Sequence, residues 1–108
     1  MPRTDFPTGA LVMLILRVLQ AGKLHGYAIA QRIRLLSDDV LKVEEGSLYP
    51  ALQRVLAEGW AKASWGTSET GRRVRFYTIS ASGRRQLEAE VVRHQTATGA
   101  IAAILRNA

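Results

Sequence analysis

Hydrophobic residues recur at helical spacing in the first part of the chain, from residue 8 to about residue 20. The stripe consists of Leu11, Leu14, Ile15, Val18 and Leu19. Further apolar residues fill most of the opposite side, so the pattern predicts a helix capped by Thr8. A helix that is apolar nearly all round is buried, either in the core of its own domain or against a second chain. Residues 1–7, which contain Pro2 and Pro7, are predicted to form a loose arm.

A second helix is predicted from about residue 24 to residue 36, where Ile29, Ile33 and Leu36 fall on one face and are expected to point inward. The polar cluster at residues 37–39 predicts a turn. Residues 40–43 are predicted to form an extended connector or a short strand.

A third helix is predicted to begin around Ser47, which suits the cap position, with Pro50 in its first turn and Gly59 as its stop. Its apolar face consists of Leu48, Leu52, Val55 and Leu56. Its opposite face carries Tyr49, Gln53, Arg54 and Ala57.

Two strand-like runs follow, at residues 60–65 and 72–79, and the glycine-bounded loop at residues 66–71 makes them a hairpin. Alternation along the second run puts Arg73, Arg75 and Tyr77 on one face. Ser80 is predicted to cap a last helix that runs almost to Ala108.

The last helix carries a seam of residues spaced 4, 3, 4, 3 and 4, as in a coiled coil. The seam consists of Leu87, Val91, His94, Thr98, Ile101 and Leu105. Pairing with a second copy through this seam and the first helix, at Leu11 and Ile15, is the predicted use of these surfaces. His94 is interpreted either as a polar residue that fixes the register or as a pH-sensitive contact between subunits.

The charge of the chain is unevenly distributed. The 108 residues have a net charge of +6, and five arginines but no acidic residue lie between Gly71 and Arg85. A basic cluster on a hairpin indicates a polyanionic partner, although a solvated arginine face is the simpler alternative.

The composition disfavours an enzyme. The chain has two histidines and no cysteine, and it lacks the glycine patterns that bind nucleotide phosphates, so neither a metal nor a cofactor is predicted. The longest apolar run, residues 10–16, is far shorter than the roughly 20 residues that span a bilayer, so no membrane contact is expected. The absence of cysteine favours a cytoplasmic location.

The order of three helices, a basic hairpin and a long helix predicts an α+β fold that is mostly α. It is the order of a winged helix-turn-helix with a long C-terminal dimerisation helix. The predicted boundaries are residues 8–80 for the DNA-binding domain and residues 81–108 for the dimerisation helix.

The sequence resembles the PadR family of bacterial transcriptional regulators, in its compact form with one C-terminal helix. The resemblance runs from about Thr8 to about Leu87, nearly three-quarters of the chain, and the residues that carry it are Leu14-Ile15-Leu16, Leu24-His25-Gly26-Tyr27, Glu45-Gly46-Ser47-Leu48-Tyr49-Pro50-Ala51-Leu52, Glu58-Gly59-Trp60, Tyr77-Thr78-Ile79 and Gly83-Arg84-Arg85-Gln86-Leu87. Residues 43–50 also resemble a branch that is common in acidobacterial genomes.

The resemblance implies a homodimer, usually a repressor, on a roughly palindromic double-stranded DNA operator, with the third helix in the major groove and the wing on the backbone. The candidate DNA-binding residues are Ser47, Tyr49, Pro50, Gln53, Arg54, Lys62, Arg72, Arg73 and Arg75. Tyr49 is alternatively a core tyrosine, and Ser47 alternatively a plain helix cap. A small-molecule effector is possible, but its identity is unknown.

Two other functions compete with operator binding. One is a basic RNA-binding or nucleoid-type module without operator specificity, and the other is a protein-interaction adaptor on the same scaffold. Trp60 and Trp65 are interpreted as packing residues of the core and of the wing base rather than as ligand-binding residues.

Overall fold

A computed structural model describes residues 9–108, and the predicted arm and the predicted cap Thr8 lie outside the described residues. Within 9–108 the chain forms four helices and three strands. In chain order these are α1 (Ala10–Leu19), β1 (Leu24–His25), α2 (Gly26–Leu36), α3 (Glu45–Ala57), β2 (Ala61–Thr67), β3 (Arg73–Ile79) and α4 (Ala81–Asn107). The predicted winged-helix fold, mostly α, is confirmed.

Helix α1 is the centre of the hydrophobic core. It contacts α2, α3, α4 and β3, which explains why apolar residues occupy nearly all of its circumference. Ile15 and Leu16 are completely buried and pack with Ile29, Leu52 and Val55 from the surrounding helices. The first helix therefore fills the core of its own protomer.

The sheet contains a short strand that the sequence pattern did not predict. Leu24 and His25, expected to open α2, instead pair antiparallel with Tyr77 and Phe76 of β3. The strand order is β1-β3-β2, so β3 is central. A two-residue strand exists only through this long-range pairing, which local periodicity does not reveal. Helix α2 begins immediately afterwards, capped by His25, whose Nδ1 accepts a hydrogen bond from the Ala28 N–H at 3.4 Å.

The segment between α2 and α3 turns sharply where the sequence predicts a turn. Asp38 and Asp39 both adopt left-handed backbone conformations, with φ of 51° and 70°. Arg34 pairs with the carboxylate of Asp39 and holds the pKa of that group below its ordinary value, chiefly through the hydrogen bond. Leu36, predicted to face inward, is 67% exposed, because α2 ends there and the chain turns away from the core. Residues 40–44 form a connector without a strand.

Helix α3 stops at the predicted glycine. Gly59 has a left-handed φ of 74°, and its N–H donates to the Leu56 carbonyl at 3.0 Å. The N–H of Trp60 donates to the Val55 carbonyl at 3.0 Å. These two bonds form a Schellman motif, in which a left-handed residue closes the last turn of a helix.

The same turn anchors the start of α4. Ser80 caps α4 by accepting a hydrogen bond from the Gly83 N–H at 3.0 Å, and its hydroxyl donates to the Gly59 carbonyl at 2.7 Å. The Ser82 hydroxyl donates to the same carbonyl at 2.9 Å, and the Ser80 N–H donates to the Trp60 carbonyl at 2.9 Å. A Cβ atom on Gly83 would lie 2.0 Å from the Trp60 carbonyl oxygen, so only glycine fits at this contact.

We expect Gly83→Ala to lower the free energy of unfolding by about 1–3 kcal/mol or more, because the obstructing atom belongs to the backbone and cannot rotate away. Urea unfolding followed by circular dichroism measures the change. Gly46→Ala is the matched control, since a Cβ at Gly46 meets nothing within 4 Å. It should leave stability unchanged or raise it by up to about 1 kcal/mol. Equal effects of the two substitutions would contradict the close contact at Gly83.

Candidate nucleic-acid interface

One side of α3 is buried and the other is open to solvent. Leu48, Leu52 and Val55 are buried against the core. The exposed residues Gly46, Pro50, Gln53 and Ala57 are spaced 4, 3 and 4, so they form a stripe along the opposite side, and exposed Arg54 lies beside it. The predicted division of this helix into a core face and an outward polar face is confirmed.

The start of α3 differs from the sequence prediction. The helix begins at Glu45, with Glu44 at the cap position, and the Ser47 N–H donates to the Glu44 carbonyl at 3.0 Å. Ser47 is therefore the third residue of the helix and not its cap. Pro50 lies in the second turn rather than the first, where it removes the N–H that would bond to Gly46. Both residues are exposed, Pro50 on the outward stripe and Ser47 at its flank.

Tyr49 lies at the edge of the outward face, next to the start of α2. Its side chain is half exposed, and a Cβ on Gly26 would lie 3.8 Å from its hydroxyl. Gly26 is buried at the first position of α2. Tyr49 is thus a surface residue beside α2 and not a core tyrosine.

Arg54 is directed toward the end of α3. Its guanidinium lies 5.7 Å from the centre of the Trp60 ring, close enough for a cation–π contact. Trp60 is partly buried and packs against the core, as predicted. This contact orients the arginine along the last turn of the helix, a feature that the sequence pattern did not reveal.

The wing is the hairpin of β2 and β3, and its two faces differ. In the observed register Ala63 pairs with Tyr77, Trp65 with Arg75 and Thr67 with Arg73. Near its base this face is buried, whereas toward the tip it presents Trp65, Arg73 and Arg75 to solvent. We call these three residues the basic face of the wing.

Trp65 was predicted to pack at the base of the wing, and the structure corrects this. The side chain is 63% exposed, because β2 extends to Thr67 and carries Trp65 beyond the last core-backed pair, Ala63 and Tyr77. The guanidinium of Arg73 lies 4.9 Å from the centre of its ring.

The two remaining candidates on the wing lie outside the basic face. Lys62 pairs with Thr78 and points to the opposite face, together with Ser64 and Phe76. Arg72 is exposed in the tip loop, where its N–H bonds to the Ser68 hydroxyl at 3.2 Å and its carbonyl accepts from the Ser68 N–H at 2.8 Å. Arg73 and Arg75 therefore share one surface, and Lys62 does not share it.

Tyr77 connects the basic face to α3. Burial raises the pKa of its phenol above the ordinary value, and nearby Tyr49 acts in the same direction, against an opposite influence of Arg75. Tyr49 of α3 and Arg75 of the wing therefore both lie near this buried phenol. Tyr77 also belongs to the same core cluster as Leu52 and Val55 of α3, so the wing and α3 pack on one core.

The sequence profile of the transcriptional regulator PadR-like family matches residues 15–89, which is more than half of the chain. The chain belongs to the PadR-like family of transcriptional regulators. The matched segment begins in the middle of α1 and includes α2, α3, the whole wing and the first part of α4.

Solved structures agree with this assignment. A transcriptional regulator from Clostridium thermocellum shares 27% of its residues, over 88% of this chain and 92% of that one, with a TM-score of 0.80. A PadR-like regulator from Bacillus cereus shares 25%, over 93% and 94% of the two chains, with a TM-score of 0.71. A PadR family regulator from Clostridium difficile shares 24%, over 90% and 99%, with a TM-score of 0.76, and that likeness bears on the fold alone.

In this PadR-like chain the predicted dimer residues fall into three groups: buried, partly buried and exposed. Ile15 is completely buried and Leu87 is 3% exposed, so both belong to the core of the protomer and have no surface for a partner. Leu11 and Val91 are partly buried against that core. The other four predicted residues are exposed on α4: His94, Thr98, Ile101 and Leu105.

An open groove of about 330 Å³ lies between the start of α1 and the middle of α4. Met13, His94, Thr98 and Ile101 contribute to its walls. His94 and Thr98 are in contact, with their Nε2 and Oγ1 atoms 3.5 Å apart. The exposed part of the seam and the start of α1 therefore border one surface.

Among residues 9–108 no group of acidic, histidine or cysteine side chains is placed to hold a metal ion. No helix in that range is both long and apolar enough to cross a bilayer.

The raised pKa of Tyr77 predicts a loss of stability in alkali. The phenol stays neutral in the folded protein above pH 10.0, where the phenol of the unfolded chain ionises. The stabilisation is therefore complete below about pH 10 and is lost as the pH rises through the folded pKa. Urea unfolding of the wild type and Tyr77→Phe, from about pH 8 to pH 11, should show the wild type losing stability relative to the variant above pH 10. A constant difference would contradict the burial of the phenol.

Proposed function

We propose that this PadR-like regulator binds a roughly palindromic DNA operator as a homodimer and represses transcription there. Helix α3 enters the major groove, and the basic face of the wing follows the phosphate backbone. The observation that carries the proposal is that the outward stripe of α3 and the arginines of the wing extend from elements packed on one core, in which Tyr77 of the wing lies with Leu52 and Val55 of α3.

The exposed residues of α3 and the wing suit different parts of a DNA duplex. Gln53 is exposed on the outward stripe of α3, and a glutamine side chain can donate to and accept from the major-groove edge of adenine. Arg73 and Arg75 form charge-assisted hydrogen bonds with phosphates and add affinity that depends on salt. Ser47 and Tyr49, beside the stripe, present hydroxyls to the phosphates that flank the groove. Arg54, stacked near Trp60, lies closer to the C-terminal end of the helix.

Dimerisation is supported by the far half of α4. This helix has 27 residues, which corresponds to about 40 Å, but its buried residues lie near its start, at Gly83 and Leu87. Further along, Ile101 is 58% exposed and Leu105 is 78% exposed. A second copy that packs against this stripe would remove its apolar surface from water and would set the spacing of two α3 helices.

Repression is the sign of regulation that the family resemblance implies. A dimer seated on a promoter excludes other proteins from the same DNA, and this needs no surface beyond the one that binds DNA. A reporter gene under the chain's own upstream promoter tests the sign, because deletion of the regulator should raise its expression.

The first experiment is fluorescence anisotropy with duplex DNA from upstream of the chain's own gene, with scrambled duplex and with RNA of equal length. Gln53→Ala should reduce the preference for the upstream duplex by about 1–3 kcal/mol and leave the salt dependence unchanged. Arg73→Ala should weaken binding to every duplex and reduce the salt slope by about 1. Gln95→Ala, an exposed glutamine on α4, is the control for Gln53. Equal binding of all three nucleic acids would favour the RNA-binding or nucleoid-type module instead.

The dimer is tested by introducing charge into the exposed seam. Ile101→Glu combined with Leu105→Glu should shift the molecular mass in sedimentation equilibrium toward that of a monomer, because two carboxylates on each copy would be buried at the interface. Leu35→Glu is the matched control, since Leu35 is also exposed but lies on α2. An unchanged mass of the α4 variant, or equal dissociation of the control, would contradict pairing through α4.

A further inference from the structure

Trp65 is a large aromatic side chain that the fold of the protomer does not bury. It lies on the basic face of the wing, directly opposite Arg75 on the neighbouring strand. By contrast, the other two aromatic rings of the wing are covered: Tyr77 is buried in the core, and Phe76 is partly buried on the opposite face, near Lys23 and His25. An exposed tryptophan contributes little to folding, since its apolar area remains in water.

The exposed indole of Trp65 is in contact with a neighbouring guanidinium group. The Arg73 guanidinium lies 4.9 Å from the ring centre, and tryptophan is the side chain that attracts a cation most strongly in this way. Arg75, paired with Trp65 across the strands, extends from the same face. The ring therefore restricts the conformations of the Arg73 side chain, and Arg75 lies beside it on the same face.

This arrangement matches the alternation of charge and apolar surface along a DNA backbone. Arg73 and Arg75 are two residues apart on one strand, which separates their Cα atoms by about 7 Å. That separation is similar to the distance between adjacent phosphates of one DNA strand. Between two phosphates lies a deoxyribose, whose C–H groups offer an apolar surface to an aromatic ring.

We propose that Trp65 is a DNA-contacting residue that packs on a deoxyribose while Arg73 and Arg75 bind the two flanking phosphates. This inference rests on the proposed function and adds a contact, between Trp65 and a deoxyribose, that the proposed function does not include. In this arrangement the ring both contributes apolar contact and holds Arg73 in the conformation that reaches phosphate. The wing then binds the backbone through an apolar contact as well as through charge.

Fluorescence provides a direct test, because the chain has two tryptophans. In a Trp60→Phe protein, Trp65 is the single tryptophan emitter. Saturation with the upstream duplex should shift its emission to shorter wavelength and reduce its quenching by acrylamide. The complementary Trp65→Phe protein reports on Trp60 and should change much less. Emission and quenching of Trp65 that stay the same in the saturated complex would overturn the proposal.

Substitutions separate the ring from the charge. Trp65→Ala should weaken duplex binding by roughly threefold to thirtyfold at constant salt. Trp65→Lys should also weaken it, although it adds a positive charge, because the lysine provides no ring. Ser64→Ala, the neighbouring exposed residue on the opposite face of β2, is the control and should bind as the wild type does. Circular dichroism verifies that each variant is folded.

The outcomes distinguish this inference from the proposed function. A wild-type protein that does not bind duplex DNA would overturn both. A wild type that binds duplex normally, with Trp65→Ala unchanged or Trp65→Lys stronger, would overturn only the role of Trp65 and leave a wing that acts by charge. A Trp65→Ala protein that loses binding to single-stranded RNA but retains duplex binding would also overturn the role of Trp65, because the ring would then stack on bases.

Discussion

The close approach of Gly83 to the Trp60 carbonyl is the contact on which the arrangement of the molecule depends. At this point the end of α3, the start of β2 and the first turn of α4 meet within hydrogen-bonding distance. Two serine hydroxyls, from Ser80 and Ser82, share the Gly59 carbonyl and fix the direction in which α4 leaves the core. The helix proposed for the major groove, the wing and the proposed dimerisation helix therefore take their relative orientation from one turn of backbone.

The sequence predicted those features that depend on local chemistry. The helical stripes, the glycine stop at Gly59 and the cap at Ser80 follow from periodicity and backbone preference, and the structure contains each of them. It did not predict β1, since two residues form a strand only when Tyr77 and Phe76 are already in place. The sequence pattern also gave the wrong burial for two side chains. Leu36 and Trp65 look like packing residues in a one-dimensional pattern, but the core ends before it reaches either of them.

In the candidate site, too, local sequence patterns predicted some features, whereas others depend on contacts between distant parts of the chain. The charge of the hairpin and its alternation put Arg73 and Arg75 on one face, and the register bears this out. Which face of the wing the core covers depends on the packing of Tyr77, so the placement of Lys62 on the opposite face was not predictable. Similarly, Ile15 and Leu87 fit a dimer seam by spacing, but α1 and the start of α4 use them to build the core.

Only the first turns of α4 are anchored to the core, so a small rotation at its base moves its far end by a large distance. A rotation of about 10° at the base of a 40 Å helix displaces its far end by roughly 7 Å, about two base-pair steps of B-DNA. Small changes in side-chain volume near Gly83 or Leu87 would thus be amplified into large changes in the distance between two paired copies. In the proposed dimer, such changes would alter the operator spacing that the two α3 helices accept. The residues that determine this spacing would be found at the base of α4, far from any nucleotide.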